Sequence, residues 1–257
     1  MTWSVFHASV RGTSHAELGL PCQDACEVWA SDDLLIVAVS DGAGSGSRSE
    51  LGSALCVHSV VSTLRAYLEL PHGFIDRGLD ALMESRSHLV DVVERARREI
   101  AELANSHHLE LRDLACTLVG VVAHLPDRGY FFHIGDGAAV ANVVGSSTRA
   151  VVSAPENGEY SNETWFITAE DWRVHLRIMP IEYPIELIAV MTDGAVPFAM
   201  APKASGLFRG FIEPVTNYLK ERQYEEGNIG LHSVLESDRT ASITNDDKTL
   251  VLAFPKK

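Results

Sequence analysis

The chain has 257 residues, 46% apolar and 22% charged, which is enough to bury a sizeable core in one large domain or two small ones. Its formal net charge of −14 argues against a general binder of nucleic acid or anionic membrane, since both need a basic surface. No run of about 18 uninterrupted apolar residues occurs, so no membrane span is expected, and Met1-Thr2-Trp3-Ser4-Val5 lacks the basic region and apolar core of a secretory signal.

In chain order, residues 4–12 and 26–40 read as strands. Gly42-Ala43-Gly44-Ser45-Gly46-Ser47 is a small-residue loop. Leu51, Leu55, Val57, Val60, Val61, Leu64 and Leu68 recur at three- and four-residue steps and predict an amphipathic helix to about Leu70, broken by Pro71-His72-Gly73. A second long helix is predicted over 79–107, with Leu82, Leu89, Val92, Val93, Ala96, Ile100 and Leu103 on its apolar face and a solvated face of mixed charge. Short strands follow at 116–123, 128–134, 138–144 and 149–152. Pro126-Asp127-Arg128-Gly129 marks a hairpin turn between the first two. Residues 153–165 are loop-like, 174–179 and 187–191 strand-like, 195–235 mostly helical, and Thr249 to Phe254 is a closing strand. This order lacks strict βαβ alternation and suggests antiparallel sheets covered by helices. With no repeat or long linker, residues 1–257 are expected to form a single domain.

Cys22, Cys26, Cys56 and Cys116 match neither a Cys-x-x-Cys redox pair nor a zinc ribbon. Cys56 and Cys116 lie in apolar stretches and read as reduced core residues, so a reducing cytoplasm is the expected setting. Gly42-x-Gly44-x-Gly46 lacks the ending of a P-loop, and no nucleophile elbow surrounds Ser45 or Ser47. His107-His108 reads as a helix end and His133 as a core or edge histidine. The polar stretch Pro155 to Thr164 is either a plain surface loop or a loop facing substrate.

The acids carry the functional signal. Asp41-Gly42 ends the apolar run Leu34 to Val39. Asp136-Gly137 follows Tyr130 to Ile134, Asp193-Gly194 follows Ile185 to Met191, and Asp246-Asp247 precedes Thr249 to Phe254. One such acid is a turn residue. Several, each at the edge of a buried strand, predict a carboxylate cluster at one end of a sheet, and clustered carboxylates need a cation. Hard divalent cations take oxygen ligands, and a glycine after the acid lets its own carbonyl approach. Asp24 completes the set of candidates.

These segments, together with Gln23-Asp24-Ala25 and Cys116-Thr117-Leu118-Val119, resemble in order and spacing the metal-dependent type 2C serine/threonine protein phosphatases, in a compact bacterial-type form. The resemblance spans about residues 10 to 254. It implies an α+β fold, a four-layer αββα sandwich of two central antiparallel sheets flanked by pairs of antiparallel helices. It implies Asp41 as the carboxylate bridging two ions, Gly42 as a carbonyl ligand, Asp193 and Asp246 as further ligands, and Asp136 as a ligand of a third, weaker ion. Asp24 matches an acid beside the metal-bound waters. The implied cofactors are two or three Mg2+ or Mn2+ ions, and the implied reaction is direct attack of metal-activated water on phosphoserine or phosphothreonine. A phosphorylated protein substrate, a cognate Ser/Thr kinase, a monomeric state and a cytoplasmic location go with it.

The chain departs from the family pattern at four places. Gln23 stands where Glu is common, Ala43 where eukaryotic members carry His, and Asp247 where Asn is common. Gly19 replaces the usual phosphate-binding Arg, leaving Arg11 or His15 to fill that role. Gln23, Gly19 and Asp247 favour a second reading, a catalytically weak relative that binds a phosphoprotein as a regulator. The complete acid set favours the enzyme. A third reading, another metal-dependent hydrolase such as a phosphodiesterase, would more commonly use His ligands.

Overall fold

The computed structural model describes residues 1–69, 86–146, 149–156 and 164–256. Among the described residues, ten strands form two five-stranded sheets. Strands β1 (Thr2–Val10), β6 (Ala138–Val143), β7 (Ala150–Ser153), β9 (Ile185–Met191) and β10 (Lys248–Lys256) make one sheet, in the order β1-β10-β9-β6-β7. Strands β2 (Ala25–Ala30), β3 (Leu34–Ser40), β4 (Leu118–His124), β5 (Arg128–Ile134) and β8 (Arg177–Ile181) make the other, in the order β2-β3-β4-β5-β8. Every pairing is antiparallel.

The continuous apolar runs arise because the central strands are buried on both faces. In β3 all seven residues are buried. Its period of two sends Leu34, Ile36 and Ala38 into a core under helices, and Leu35, Val37 and Val39 into a core between the sheets. The same split sends Leu250, Leu252 and Phe254 of β10 outward, and Val251 and Ala253 toward the facing sheet. Helices cover both outer faces. On the β3 side lie α2 (Ser49–Leu68) and α3 (Arg86–Ser106), packed on each other. Leu89, Val92, Val93, Ala96 and Ile100 form the buried stripe of α3, while Arg95 and Glu99 pair in water on its other face. On the β10 side lie α5 (Val196–Ala199), α6 (Arg209–Leu219) and α7 (Tyr224–Glu236). The layers are therefore helix, sheet, sheet, helix, as the resemblance implies.

Several elements differ from the sequence reading. β1 ends at Val10, and residues 13–18 form a short helix, α1 (Thr13–Leu18), that buries no side chain. The strand predicted at 174–179 is split between α4 (Trp172–His175) and β8. Trp172 and Leu176 are buried while Val174 is 80% exposed, which is the spacing of a helical turn. Pro180 in β8 is tolerated because that strand is an edge. The helical stretch expected at 195–235 is three separate helices, followed by α8 (Asp238–Ala241). Pro202 opens a 3-10 turn, and Gly206 takes φ 137°. The Pro71-His72-Gly73 break, the start of the 79–107 helix and most of the 155–164 loop lie outside the described residues.

Candidate active site

Each sheet delivers acids to one cleft. Asp41 follows β3 and Asp136 follows β5, both in one sheet; Asp193 follows β9 and Asp246 precedes β10, both in the other. All four line a cavity of about 750 Å³, with Ala43, Gly44, Ser45, Thr164, Trp165 and Phe166 completing its walls. Carboxylate oxygens of Asp41, Asp136 and Asp193 lie within 4.8 Å of one another. The sequence-predicted acids therefore meet, though they are separated by 95, 57 and 53 positions along the chain.

Backbone geometry holds Asp41 and the turn after Asp193 in place. The Asp41 N–H donates to Thr117 Oγ1 at 2.9 Å, and Thr117 N–H donates to the Asp41 carbonyl at 2.8 Å. Gly42 N–H donates to Gln23 O, and a Cβ at Gly42 would stand 2.8 Å from that oxygen and 2.9 Å from Ser49. Gly194 is likewise pressed against the Asp247 carbonyl. Glycine follows these acids because no side chain fits there.

Asp24 joins the cluster by bridging the sheets. Its Oδ2 accepts from Thr192 Oγ1 at 2.7 Å and from Thr249 Oγ1 at 2.8 Å. Burial pushes its carboxyl up to about 7, against the pull of those two hydroxyls. Asp193 is pushed up to about 8, by burial first and then by the charges of Asp136, Asp246 and Asp24. Asp41 is held well above the usual carboxylate range by burial and then by Asp24, Asp193, Asp246 and Asp136. Burial also raises Asp136, offset in part by the hydroxyl that Thr164 donates to its Oδ2.

Asp24 Oδ1 and Asp136 Oδ1 are buried and accept no hydrogen bond among the described residues. Buried oxygens without donors, and like charges that raise one another, are the conditions a cation relieves. The donor set is all oxygen, which suits a hard divalent ion rather than zinc or copper.

Arg11 and His15 lie outside this cleft lining. Arg11 is exposed and donates to Leu20 O at 3.2 Å. His15 Nδ1 stands 2.9 Å from Asp247 Oδ2. Asp247 itself is a clamp. Only 1% exposed, it accepts from Gly12 N–H and Gln23 N–H, each at 2.6 Å. An acid where the family commonly has Asn thus ties β10 to both loops that lead to Asp24.

His133 is fully buried. Its Nδ1 sits 2.8 Å from Ser153 Oγ and 3.0 Å from Arg177 Nη2. Burial, then the Arg177 charge, keeps it neutral, well below the usual histidine range. Arg177 also donates to Ala154 O and pairs with Glu156. Sequence reasoning missed Thr192, Thr249, Thr164, Trp165 and Phe166. Only the first two carried any signal, as the residues flanking Asp193-Gly194 and Asp247-Lys248.

Residues 11–236 match the model of the protein phosphatase 2C family. Serine/threonine-protein phosphatase 3 of Escherichia coli (strain K12) is 33% identical over 262 residues, covering 99% of each chain. The serine/threonine phosphatase Stp1 from Staphylococcus aureus shares the fold at TM-score 0.66 and 12% identity, covering 100% of this chain and 96% of that one. The Mycobacterium tuberculosis serine/threonine phosphatase PstP/Ppp does so at TM-score 0.61 and 15% identity, with 100% of both chains covered. With a family match over most of its length and an acid cleft formed between its two sheets, the chain belongs to the protein phosphatase 2C family.

Proposed function

We propose that the chain is a protein serine/threonine phosphatase that hydrolyses phosphoserine and phosphothreonine in proteins. The observation that carries this reading is the meeting of Asp41, Asp136, Asp193 and Asp246, from four strand ends of two sheets, in one open cleft. The ions proposed for it are Mg2+ or Mn2+, two or three in number. Asp41, the Gly42 carbonyl, Asp193 and Asp246 would hold two of them, and Asp136 would hold a third, with Asp193 shared. Such ions supply charge neutralisation at the phosphoryl group and a water acidified to near neutral pH.

The chain's own groups do the rest. Asp24 lies behind the cleft lining, with one oxygen fixed by Thr192 and Thr249 and the buried Oδ1 left to accept a proton. Arg11, though outside the cleft lining, is the proposed phosphate ligand because it is exposed, while His15 Nδ1 lies 2.9 Å from the buried Asp247 Oδ2. Trp165 and Phe166 offer apolar wall to the residues beside the phosphorylated one. Trp165 is held flat against His175, ring centroids 3.6 Å apart. Residues 1–257 are taken as one catalytic domain, since neither sheet alone carries the acid set. A monomer acting opposite a cognate Ser/Thr kinase in the cytoplasm completes the proposal, and four free thiols suit that compartment. Asp247 does not favour the regulatory reading, because its acid is accounted for by the clamp on Gly12 and Gln23.

The test is hydrolysis of para-nitrophenyl phosphate and a phosphothreonine peptide with Mn2+, with Mg2+ and with EDTA, beside Asp193→Asn. Metal-dependent turnover lost in the variant is expected. Folded, metal-loaded protein without turnover on either substrate would overturn the proposal.

A further inference from the structure

A second cavity, of about 980 Å³, opens between the helices on the β10 side. Its floor and walls are apolar, with Phe198, Met200 and Phe211 among them, and the rim residues Phe208 and Ile243 are 45% and 49% exposed. Its lining includes Lys203 and Arg239 but no Asp or Glu. In a chain with 35 acids and 21 bases, that composition is against the average.

Those two cations also differ from six surface arginines, though Arg98, Lys220 and Arg222 likewise form no ion pair with a carboxylate among the described residues. Arg48, Arg65, Arg95, Arg112, Arg173 and Arg209 each pair with a glutamate on the surface. Lys203 and Arg239 are exposed and pair with no carboxylate among the described residues. Lys203 and Ala204 both take left-handed backbone, at φ 60° and φ 50°, a costly conformation for residues with a side chain.

The groove adjoins the acid cleft along the chain, although the two share no lining residue. Val196 and Pro197 in its wall follow Asp193 by three and four positions along one helical run. Ile243 precedes Asp246 by three positions. Pro155 adjoins Glu156, whose N–H binds Gly135 O beside Asp136. Three helical residues advance about 5 Å, and an extended peptide about 3.3 Å per residue, so the groove begins about two residues from a phosphoresidue held in the cleft.

We infer that this groove docks the substrate phosphoprotein itself, through a segment beside the phosphorylated residue that carries large apolar anchors and Asp or Glu. The inference rests on the phosphatase reading for the identity of the occupant. The apolar floor supplies burial, and the two unpaired cations select acidic sequence and reject basic sequence.

The experiment uses three phosphothreonine peptides of equal length. One carries Leu, Phe, Asp and Glu on the N-terminal side of the phosphothreonine and one carries them on the C-terminal side. The third has Ser and Gly throughout. Burial of one anchor predicts that kcat/KM for one flanked peptide exceeds that of the Ser/Gly peptide by about tenfold, mostly through KM. Lys203→Glu/Arg239→Glu and, separately, Ile243→Lys abolish that preference while para-nitrophenyl phosphate and Ser/Gly peptide rates stay at the wild-type level. Equal kcat/KM on all three peptides with wild-type protein overturns the inference, as does an equal loss on all substrates in folded variants. A dimer that Ile243→Lys dissociates, with peptide preference intact, overturns it too and makes a second copy the occupant. If wild-type protein turns over no substrate with any metal, the phosphatase reading fails by itself. Anisotropy of the labelled, unphosphorylated flanked peptides then tests the groove alone, and binding must be lost in the double charge reversal.

Discussion

Replacing Asp193 by Asn should stabilise the metal-free protein, and should do so more at alkaline pH than at acid pH. The folded state holds Asp193 at about 8 against 3.8 for a free carboxyl, because burial and three neighbouring acids disfavour its charge. The folded chain therefore keeps a proton that the unfolded chain releases, and stability falls as pH rises from about 4 to about 8. A carboxyl so displaced costs roughly 5 kcal/mol at pH 8 and roughly 2 kcal/mol at pH 5.5. Water in the open cleft screens part of that difference, leaving a pH-dependent gain of about 2 kcal/mol for the amide. For a chain of this length that is roughly 4–8 °C in Tm. Thermal denaturation in EDTA at the two pH values reads it directly. The gain should appear at pH 8, shrink at pH 5.5, and reverse in order when Mn2+ is added, because the wild type then gains a ligand-bound state that the variant holds less tightly. An equal gain at both pH values, or a wild-type Tm that rises from pH 5.5 to 8 without metal, would refute the reasoning.

Asp247→Ala removes a buried acceptor from two short N–H bonds and should cost about 3 kcal/mol, read by urea denaturation; a loss below about 1 kcal/mol would remove the clamp. Asp247→Asn keeps one oxygen and should lie between wild type and Ala. Gly42→Ala places a methyl 2.8 Å from Gln23 O, so metal-dependent turnover should drop about 100-fold or the chain should lose about 2 kcal/mol of stability; an unaffected variant would show that the loop relaxes freely. Ile36→Ala empties part of the core beneath α2 and should cost about 3 kcal/mol with no change in metal dependence, checked by denaturation and by turnover.

The acids were legible because the strands that carry them are buried on both faces. Such strands read as unbroken apolar runs, and each run stops at an Asp or begins after one. The long helices α2 and α3 were legible from their three- and four-residue spacing. What escaped was short or distant. Helix α1 has six residues and buries none of them, so no periodicity marks it. Helix α4 has four residues, too few to separate a turn from a strand. Asp247 meets its partners Gly12 and Gln23 across 235 and 224 positions, a contact that exists only after β1 and β10 pair. Thr192 and Thr249 matter because adjacent strands of one sheet aim both hydroxyls at an acid on the other. Pairing of that kind leaves no local trace in a sequence.

Strand β10 lies between β1 and β9, yet it is the last of the ten to be made. It carries Asp246 to the cleft, Thr249 to Asp24 and Asp247 to the loops of Gly12 and Gln23. A chain whose residues 246–256 have not yet paired has all the other acids but no closed site, and β1 has no neighbour on its inner edge. Folding intermediates without β10 in place should therefore be silent toward phosphoproteins, and activity should appear in one step as β10 pairs rather than grow with the rest of the fold.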